Sequence, residues 1–234
     1  MKLQFKIQQY QTDAVESVVK VFAGQPNNGL LTYKVDQGKV YVVAGGKKIE
    51  VKDLGLNQDD TGYKNSDILL DDERLLENIR LVQTQNNIHL SKELIHKLGR
   101  CQLDVEMETG TGKTYVYIKT MFELNQLYGW TKFIVVVPSI AIREGVMKSF
   151  DITADHFMEL YGKRARYFIY NSDNLSQIDS YSQSADINVM IINTQAFNTS
   201  LKEGAKNKAA RIIYDKRDEF GSRRPIDVIA ANHP

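Results

Sequence analysis

The eight residues METGTGKT, at positions 107–114, constrain this chain more than any other part of its sequence. CQLDVEM (101–107), whose alternating pattern predicts a β-strand, runs into them, and the helix predicted by apolar spacing over residues 113–127 begins at their end. A glycine-rich loop in this setting directs several backbone N–H groups at one point, where the helix N-terminus adds partial positive charge. The sequence therefore predicts a site for the phosphates of a nucleoside triphosphate.

Most positions of the loop have a role in that prediction. Glycines permit positive φ and close approach, Lys113 supplies a full charge, and the Thr114 hydroxyl can face a magnesium ion bound to the phosphates. The usual pattern G-x-x-x-x-G-K-[ST] has a glycine where this chain has Met107, which argues against small GTPases and nucleotide kinases. An ordinary connecting loop is the alternative. The predicted phosphate contacts are Thr109, Gly110, Thr111, Gly112, Lys113 and Thr114, with Lys113 and Thr114 as catalytic residues and Thr114 as the Mg²⁺ ligand.

The residues after the loop alternate between predicted strands and helices. FIVVVP (133–138) is a continuous β-branched run, typical of a parallel strand covered on both faces. IAIREGVMKSF predicts a helix, and ARYFIYN and INVMIIN predict two more strands. This alternation predicts an α/β fold in which helices flank a parallel sheet.

The first hundred residues have a different pattern. Apolar residues at fourfold spacing in QQYQTDAVESVVKVF predict a helix, whereas LLTYKV, KVYVVA and KKIEVKDL, separated by glycine turns, predict an antiparallel meander. NQDDTGYKNSD is interpreted as a polar loop, and residues 72–85 and 91–98 as helices. We therefore predict that residues 1–25 and 100–234 build the sheet domain, and that residues 26–99 are an inserted, antiparallel β-rich and helical elaboration.

Composition excludes several classes of protein. A single cysteine, Cys101, allows no internal disulfide, and no cysteine or histidine cluster has zinc-site spacing. The N-terminus lacks the apolar core of a signal peptide, and no apolar run approaches the roughly 20 residues that span a bilayer. We therefore expect a cytoplasmic protein without a membrane partner. The net charge of +1 does not by itself indicate a nucleic-acid partner, because acidic surface can balance a basic groove.

The loop METGTGKT, with methionine in first place, resembles motif I of superfamily 2 helicases and translocases. Three further stretches support the resemblance: QQYQTDAV, FIVVVPSIAIREGV and INVMIINTQAFN. The first implies that Gln11 pairs with the adenine edge, and the other two imply contacts with nucleic-acid backbone. Each stretch also has a purely structural interpretation, as a surface glutamine on a helix or as ordinary strands and helices. The implied nucleic-acid contacts are Pro138, Ser139, Arg143, Thr194 and Gln195.

The stretches together resemble the N-terminal part of the restriction (Res) subunit of type III restriction–modification enzymes, over nearly the whole chain. The joint pattern is YQTDAVESVVKVFAGQP, a β-rich insert, VEMETGTGKTYVYIKTMFEL, FIVVVPSIAIREGV and IINTQAFN. The resemblance implies a RecA-like P-loop domain that uses ATP and Mg²⁺. It also implies a larger protein with two such motor domains and a nuclease domain, which acts on double-stranded DNA with a DNA-recognising methyltransferase (Mod) subunit.

One motif of superfamily 2 motors has no match after the loop: an apolar strand ending in Asp-Glu, which holds Mg²⁺-bound water and activates the attacking water. Asp71–Glu73 precedes the loop and is interpreted as the start of a helix, where carboxylates suit the dipole. Residues 212–220 are interpreted as helix and loop, and INVMIIN ends in Asn193, which is no carboxylate. We therefore expect an N-terminal piece of a longer protein, truncated before this motif and inactive alone.

Three functions remain open at this point. The first is the motor of a type III restriction endonuclease. The second is a superfamily 2 DNA or RNA helicase, or a type I restriction motor. The third is a nucleotide-binding regulatory domain that never hydrolyses ATP. An Asp-Glu strand, a second motor domain and a nuclease motif in sequence beyond Pro234 would favour the first.

Overall fold

The computed structural model describes residues 5–44, 47–51, 61–97, 99–196 and 212–234. These fall into two compact units: unit 1 is Met1–Gly29, Ser66–Trp130 and Ser149–Arg164, and unit 2 is Leu30–Asn65, Thr131–Lys148 and Ala165–Pro234. The predicted domain boundaries after residues 25 and 99 stay a prediction. The helices are α1 (Gln9–Val21), α2 (Asp72–Gln85), α3 (Lys113–Tyr128), α4 (Ile140–Tyr161), α5 (Ser176–Gln183) and α6 (Pro225–Ala230). The strands are β1 (Leu31–Lys34), β2 (Val40–Ala44), β3 (Lys47–Val51), β4 (Thr61–Lys64), β5 (Lys132–Val137), β6 (Ala165–Ile169) and β7 (Ile187–Asn193).

A parallel sheet in the order β5-β7-β6 organises unit 2. The central strand β7 is buried from Ile187 to Ile192, which is why its sequence is a continuous apolar run rather than an alternating one. Val137 of β5 lies opposite Asn193, and Ile169 of β6 lies opposite Ile191. The carboxyl ends of the three strands therefore meet at one edge, and the predicted α/β fold with a parallel sheet is confirmed.

The core of unit 2 packs β7 against two helices. Met190 and Ile192 of β7 share a buried cluster with Ile178 and Tyr181 of α5 and with Val228 and Ile229 of α6.

Among the described residues, strand β5 lies at one edge of this three-stranded sheet. Val136 is 50% exposed, so the prediction that FIVVVP is covered on both faces is wrong for this strand.

A buried lysine anchors α5 to the sheet. Lys132, the first residue of β5, is 0% exposed, and its ammonium donates to the carbonyls of Tyr181 and Ser184 at the end of α5, the latter at 2.6 Å. Burial lowers the pKa of Lys132 to about 7, and the charge of Asp186 opposes that shift. A cation beside the last carbonyls of a helix stabilises its negative end, so Lys132 stabilises the end of α5.

The antiparallel elaboration exists, but its strands pair differently from the predicted meander. β1 pairs with β4, and β2 pairs with β3. β4 lies inside NQDDTGYKNSD, so the interpretation of that stretch as a loop is wrong for residues 61–64, while residues 57–60 lie outside the described part. Gly62 explains the error: it lies opposite Tyr33, and a Cβ there would come within 2.5 Å of the Tyr33 ring. This glycine makes room for a cross-strand aromatic rather than for a turn.

Unit 1 is built from α1, α2, α3 and the second half of α4. The Tyr128 hydroxyl of α3 donates to the Val19 carbonyl of α1 at 3.1 Å, and the Phe22 ring meets Trp130 edge-on at 5.2 Å. The Asp71 carboxylate accepts from the Arg74 backbone N–H at 2.8 Å, which confirms that Asp71–Glu73 starts a helix. None of the described helices is both long enough and apolar enough to cross a lipid bilayer.

The helix predicted over residues 91–98 is absent from residues 91–97, and residue 98 lies outside the described part. Side chains of α2 hold this segment in another conformation. The Arg80 guanidinium donates to the carbonyls of Ser91 and Lys92, both at 2.9 Å, and the Gln83 carbonyl oxygen accepts from the Ser91 N–H at 2.8 Å. A helix of eight residues is marginal without support, and these contacts occupy the groups that its first turn needs.

The strand predicted over residues 101–107 is also absent. Its alternating apolar residues satisfy the side-chain pattern of a strand, but a strand also needs a neighbour for its backbone hydrogen bonds. Within the described ranges no strand pairs with this segment, and Val105 is 47% exposed. The segment therefore leads into the glycine-rich loop without β-sheet hydrogen bonds to a described strand.

Candidate nucleotide site and nucleic-acid face

The loop predicted to bind phosphates turns directly into α3. Gly110 has φ +84° and Gly112 has φ +85°, a backbone region that side chains other than glycine rarely adopt. Between them, the Thr111 hydroxyl donates to the Glu108 carbonyl at 2.7 Å and closes the turn. A Cβ on Gly110 would meet nothing within 4 Å, so open space lies beside the loop where a ligand would approach.

Gln11 contacts the loop itself. Its Nε2 donates to the Thr111 carbonyl at 2.9 Å, and a Cβ on Gly112 would lie 2.5 Å from the same nitrogen. Among the described residues, its Oε1 forms no hydrogen bond, so an acceptor remains for the amino group of adenine. The sequence predicted a base contact for Gln11, and the structure adds a second role, support of the loop.

Lys113 and Thr114 form the first turn of α3, a helix of 16 residues with no acidic residue in its first turn. The Lys113 side chain is exposed, and its ammonium has no ion pair or hydrogen bond to any described residue. A free cation at a helix N-terminus, beside two glycines, fits the phosphates of a nucleotide. Thr114 is half-buried and stays the predicted Mg²⁺ ligand.

A ready-made cluster of metal-ligating side chains is absent from the part of the chain that the structure describes. No group of three or more His, Cys, Asp or Glu side chains lies close enough to hold a metal ion there. The stretches considered as an acidic motif do not supply one. Residues 212–214 are helical and Asp218–Phe220 form a 3₁₀ turn, as predicted, and Asn193 ends β7. Thr114 is thus the one Mg²⁺ ligand that we predict among these residues.

Replacing Gln11 by alanine is expected to weaken ATP binding more than GTP binding. Loss of the loop contact should weaken the binding of both nucleotides. Loss of Oε1 should weaken the binding of ATP alone, by a further factor of roughly 2 to 10, as expected for one neutral hydrogen bond. Competitive titration of both nucleotides measures the difference. Gln9→Ala is the control, because exposed Gln9 donates only to Asp13 on the same helix, at 2.8 Å. Equal losses for ATP and GTP would leave Gln11 as a loop support only.

The residues predicted to contact nucleic acid lie at the carboxyl edge of the sheet in unit 2. Pro138 and Ser139 follow β5, and Thr194 and Gln195 follow β7 in a 3₁₀ turn. Because Val137 and Asn193 are opposite each other, the two turns are neighbours. Pro138, Thr194 and Gln195 are exposed. The structure thus brings these four residues together.

Ser139 and Arg143 belong to the start of α4. The Ser139 hydroxyl accepts from the Ile142 N–H at 3.3 Å, so this serine caps the helix, which is a structural role that the sequence had not revealed. The Arg143 guanidinium pairs with Glu144 at 3.0 Å, and 57% of the Glu144 side chain is exposed. The Arg143 side chain itself is only 22% exposed, and its contact with a backbone phosphate stays a prediction.

Comparison with known proteins identifies the family of this chain. The family model of the type III restriction enzyme, Res subunit, matches residues 75–222, more than half of the chain. The chain belongs to the Res subunit family of type III restriction enzymes. It is 31% identical to the EcoP15I Res subunit of Escherichia coli over 186 residues, which cover 73% of this chain and 18% of that protein. It is also 35% identical to the StyLTI Res subunit of Salmonella typhimurium strain LT2 over 153 residues, 58% of this chain and 15% of that protein.

The matched Res subunits are much longer than this chain, which spans less than a fifth of their length. The matched family region contains the loop at Thr109–Thr114 and the edge residues from Pro138 to Gln195, whereas Gln11 lies outside it. Membership of the Res family is therefore shown, and the roles of individual residues stay predictions.

Proposed function

We propose that this chain is the N-terminal motor portion of a type III restriction endonuclease subunit. In this proposal it binds ATP and Mg²⁺, and hydrolysis drives translocation or switching on double-stranded DNA. Cleavage is carried out by a nuclease domain outside this chain, together with a methyltransferase (Mod) subunit that recognises the DNA. The observation that carries the proposal is the exposed Lys113 at the N-terminus of α3, just after Gly110 and Gly112, which both have positive φ, in a chain of the Res family.

In this proposal the loop residues and Gln11 bind different parts of the nucleotide. Backbone N–H groups around Gly110 and Gly112 donate to phosphate oxygens, and Lys113 faces the β- and γ-phosphates. Thr114 is the ligand for the metal, which neutralises charge on the transferred phosphoryl group. Gln11 accepts from the adenine amino group while its Nε2 holds Thr111. The exposed Lys113 side chain and the contact of Gln11 with the Thr111 carbonyl support these roles.

DNA is proposed to meet the carboxyl edge of the sheet at Pro138, Ser139, Arg143, Thr194 and Gln195. Short polar side chains and one arginine suit the phosphate backbone better than base edges, so binding is expected to be blind to sequence and to weaken with salt. Loops at the carboxyl ends of parallel strands are the usual position of ligand sites in α/β sheets. The proposed DNA face and this rule agree.

The test uses the full-length subunit with its methyltransferase and compares two arginines of unit 2, one at the start of α4 and one in β6. Arg143→Ala removes a proposed phosphate contact, and Arg166→Ala removes an arginine near the amino end of β6 that pairs with Asp186 at 2.7 Å. Arg143→Ala should weaken DNA binding for all sequences and lower the salt slope by about one, and it should reduce DNA-stimulated ATP hydrolysis. Arg166→Ala should change neither.

Three outcomes would overturn parts of the proposal. Equal effects of the two substitutions would remove the carboxyl edge as the DNA face. ATP hydrolysis without DNA cleavage by the complex would favour a helicase or another restriction motor. ATP binding without hydrolysis in the full-length protein would favour a regulatory nucleotide-binding domain.

A further inference from the structure

The start of α3 is held in place by side chains from outside the helix. Gly112 occupies the N-cap position and has no side chain to bond the first turn. Gln11 supports one side, through the Thr111 carbonyl. Tyr115, the residue after Thr114, supports the other side through α4. Because the first turn carries Lys113 and Thr114, any group that fixes it also fixes the candidate phosphate site.

Tyr115 makes one specific polar contact and a set of ring contacts. Its hydroxyl lies 2.9 Å from Nε2 of His156, which belongs to the part of α4 in unit 1. Its ring stacks on Phe157 at 5.3 Å and faces Phe5 at 6.2 Å, and Phe5 also lies 4.9 Å from the imidazole. Aromatic packing fixes the plane of the phenol, and the hydrogen bond fixes its position along α4.

The protonation states of the two groups agree with that contact. Burial raises the pKa of the Tyr115 hydroxyl, so the phenol keeps its proton at neutral pH. Burial also lowers the pKa of His156, an effect that the Glu159 charge opposes and the Lys119 charge assists. A neutral imidazole has one accepting nitrogen, which is Nε2 in the tautomer that carries its proton on Nδ1; in that tautomer the Tyr115 hydroxyl donates to Nε2.

We propose that Tyr115 and His156 are positioning residues for the phosphate loop: their hydrogen bond holds the first turn of α3, and with it Lys113 and Thr114, at the place where phosphates bind. This inference rests on the proposed nucleotide site. The pair lies against the turn that carries the phosphate ligands, so its effect should be selective for the phosphates over the nucleoside. Loss of the bond should weaken binding of phosphates and leave binding of the nucleoside unchanged.

The test measures affinity for two probes, ADP and adenosine, in the full-length subunit. Tyr115→Phe keeps the ring and removes the hydroxyl, and His156→Leu removes the acceptor. Each should weaken ADP binding about 3- to 10-fold, as expected for one hydrogen bond, with adenosine binding unchanged. His156→Gln can place an amide where Nε2 was and should restore ADP affinity. The double variant should lose no more than either single one, because both remove one interaction.

Tyr161→Phe is the matched control. The Tyr161 hydroxyl of α4 donates to Glu123 of α3 at 2.6 Å, and its ring stacks on Phe122 at 5.1 Å, in the same aromatic cluster but away from the loop. This substitution removes one phenol hydroxyl between the same two helices. It should lower thermal stability by an amount similar to Tyr115→Phe and leave ADP affinity unchanged. A merely structural role for Tyr115 would make the two variants behave alike.

The outcomes separate this inference from the proposed function. If the wild-type protein binds ADP, Lys113→Ala weakens that binding and Tyr115→Phe binds normally, the positioning role is wrong and the nucleotide site stands. Equal ADP losses in Tyr115→Phe and Tyr161→Phe, or additive losses in the double variant, would also overturn it. If Tyr115→Phe does not fold, the contrast between His156→Leu and His156→Gln decides. A wild-type protein without ADP affinity would overturn both ideas.

Discussion

Replacing Lys113 by alanine is expected to lower ATP hydrolysis by the full-length subunit by about 10²- to 10³-fold, the usual effect of removing one donor aimed at developing charge. The Lys113 side chain is exposed, sits at the first residue of α3 and has no described partner, so its charge is free for the ligand. Loss of a charge-assisted contact to phosphate should also weaken ADP binding. Steady-state hydrolysis and ADP titration measure the two effects.

The same exposure predicts that the fold survives. A surface substitution without a lost partner usually changes stability by less than about 0.5 kcal/mol, so the thermal midpoint should stay close to that of the wild type. Lys20→Ala is the control: Lys20 is an exposed lysine of α1 that pairs only with Glu16, at 2.8 Å. It should leave hydrolysis unchanged. Normal turnover by Lys113→Ala would refute the assignment of the loop.

The sheet could be predicted from the sequence because its signal is local. INVMIIN contains the apolar, β-branched residues that a central parallel strand buries. ARYFIYN is aromatic and forms a strand that is mostly half-buried. Both strands lie close to the predicted residues. The helix predicted over residues 113–127 could be predicted for the same reason, and α3 extends from Lys113 to Tyr128. In these segments, local pattern and tertiary contacts favour the same structure.

Other features depended on partners distant in sequence, which no local pattern reveals. Residues 101–107 alternate like a strand but find no neighbouring strand within the described part of the chain. Gly62 has the local pattern of a turn, but in the structure it makes room for the Tyr33 ring, 29 positions away in the chain. The contact between Tyr115 and His156 joins residues 41 positions apart, and a lone histidine gives no signal of its own.

Purified residues 1–234 are expected to bind ATP without hydrolysing it. The loop residues Gly110, Gly112 and Lys113 are all present, so ATP with Mg²⁺ should bind, on the order of −4 to −6 kcal/mol, which corresponds to a Kd of about 40 µM to 1 mM. Among the described residues, however, no acidic cluster is placed to hold the metal or activate the attacking water. The sequence after the loop offers no apolar strand ending in Asp-Glu either.

Hydrolysis by this stretch should therefore equal the background rate, with or without double-stranded DNA, and no DNA should be cut. Charge stabilisation by an arginine from a second motor domain, worth about 10³- to 10⁵-fold in related reactions, would have to come from outside these residues. Phosphate release from the purified stretch, compared with its Lys113→Ala variant, measures this. Steady, DNA-stimulated turnover that Lys113→Ala removes would show that a carboxylate was misassigned. Asp71–Glu73 would then be tested first, because these carboxylates follow the apolar residues ILL, as the acidic motif requires.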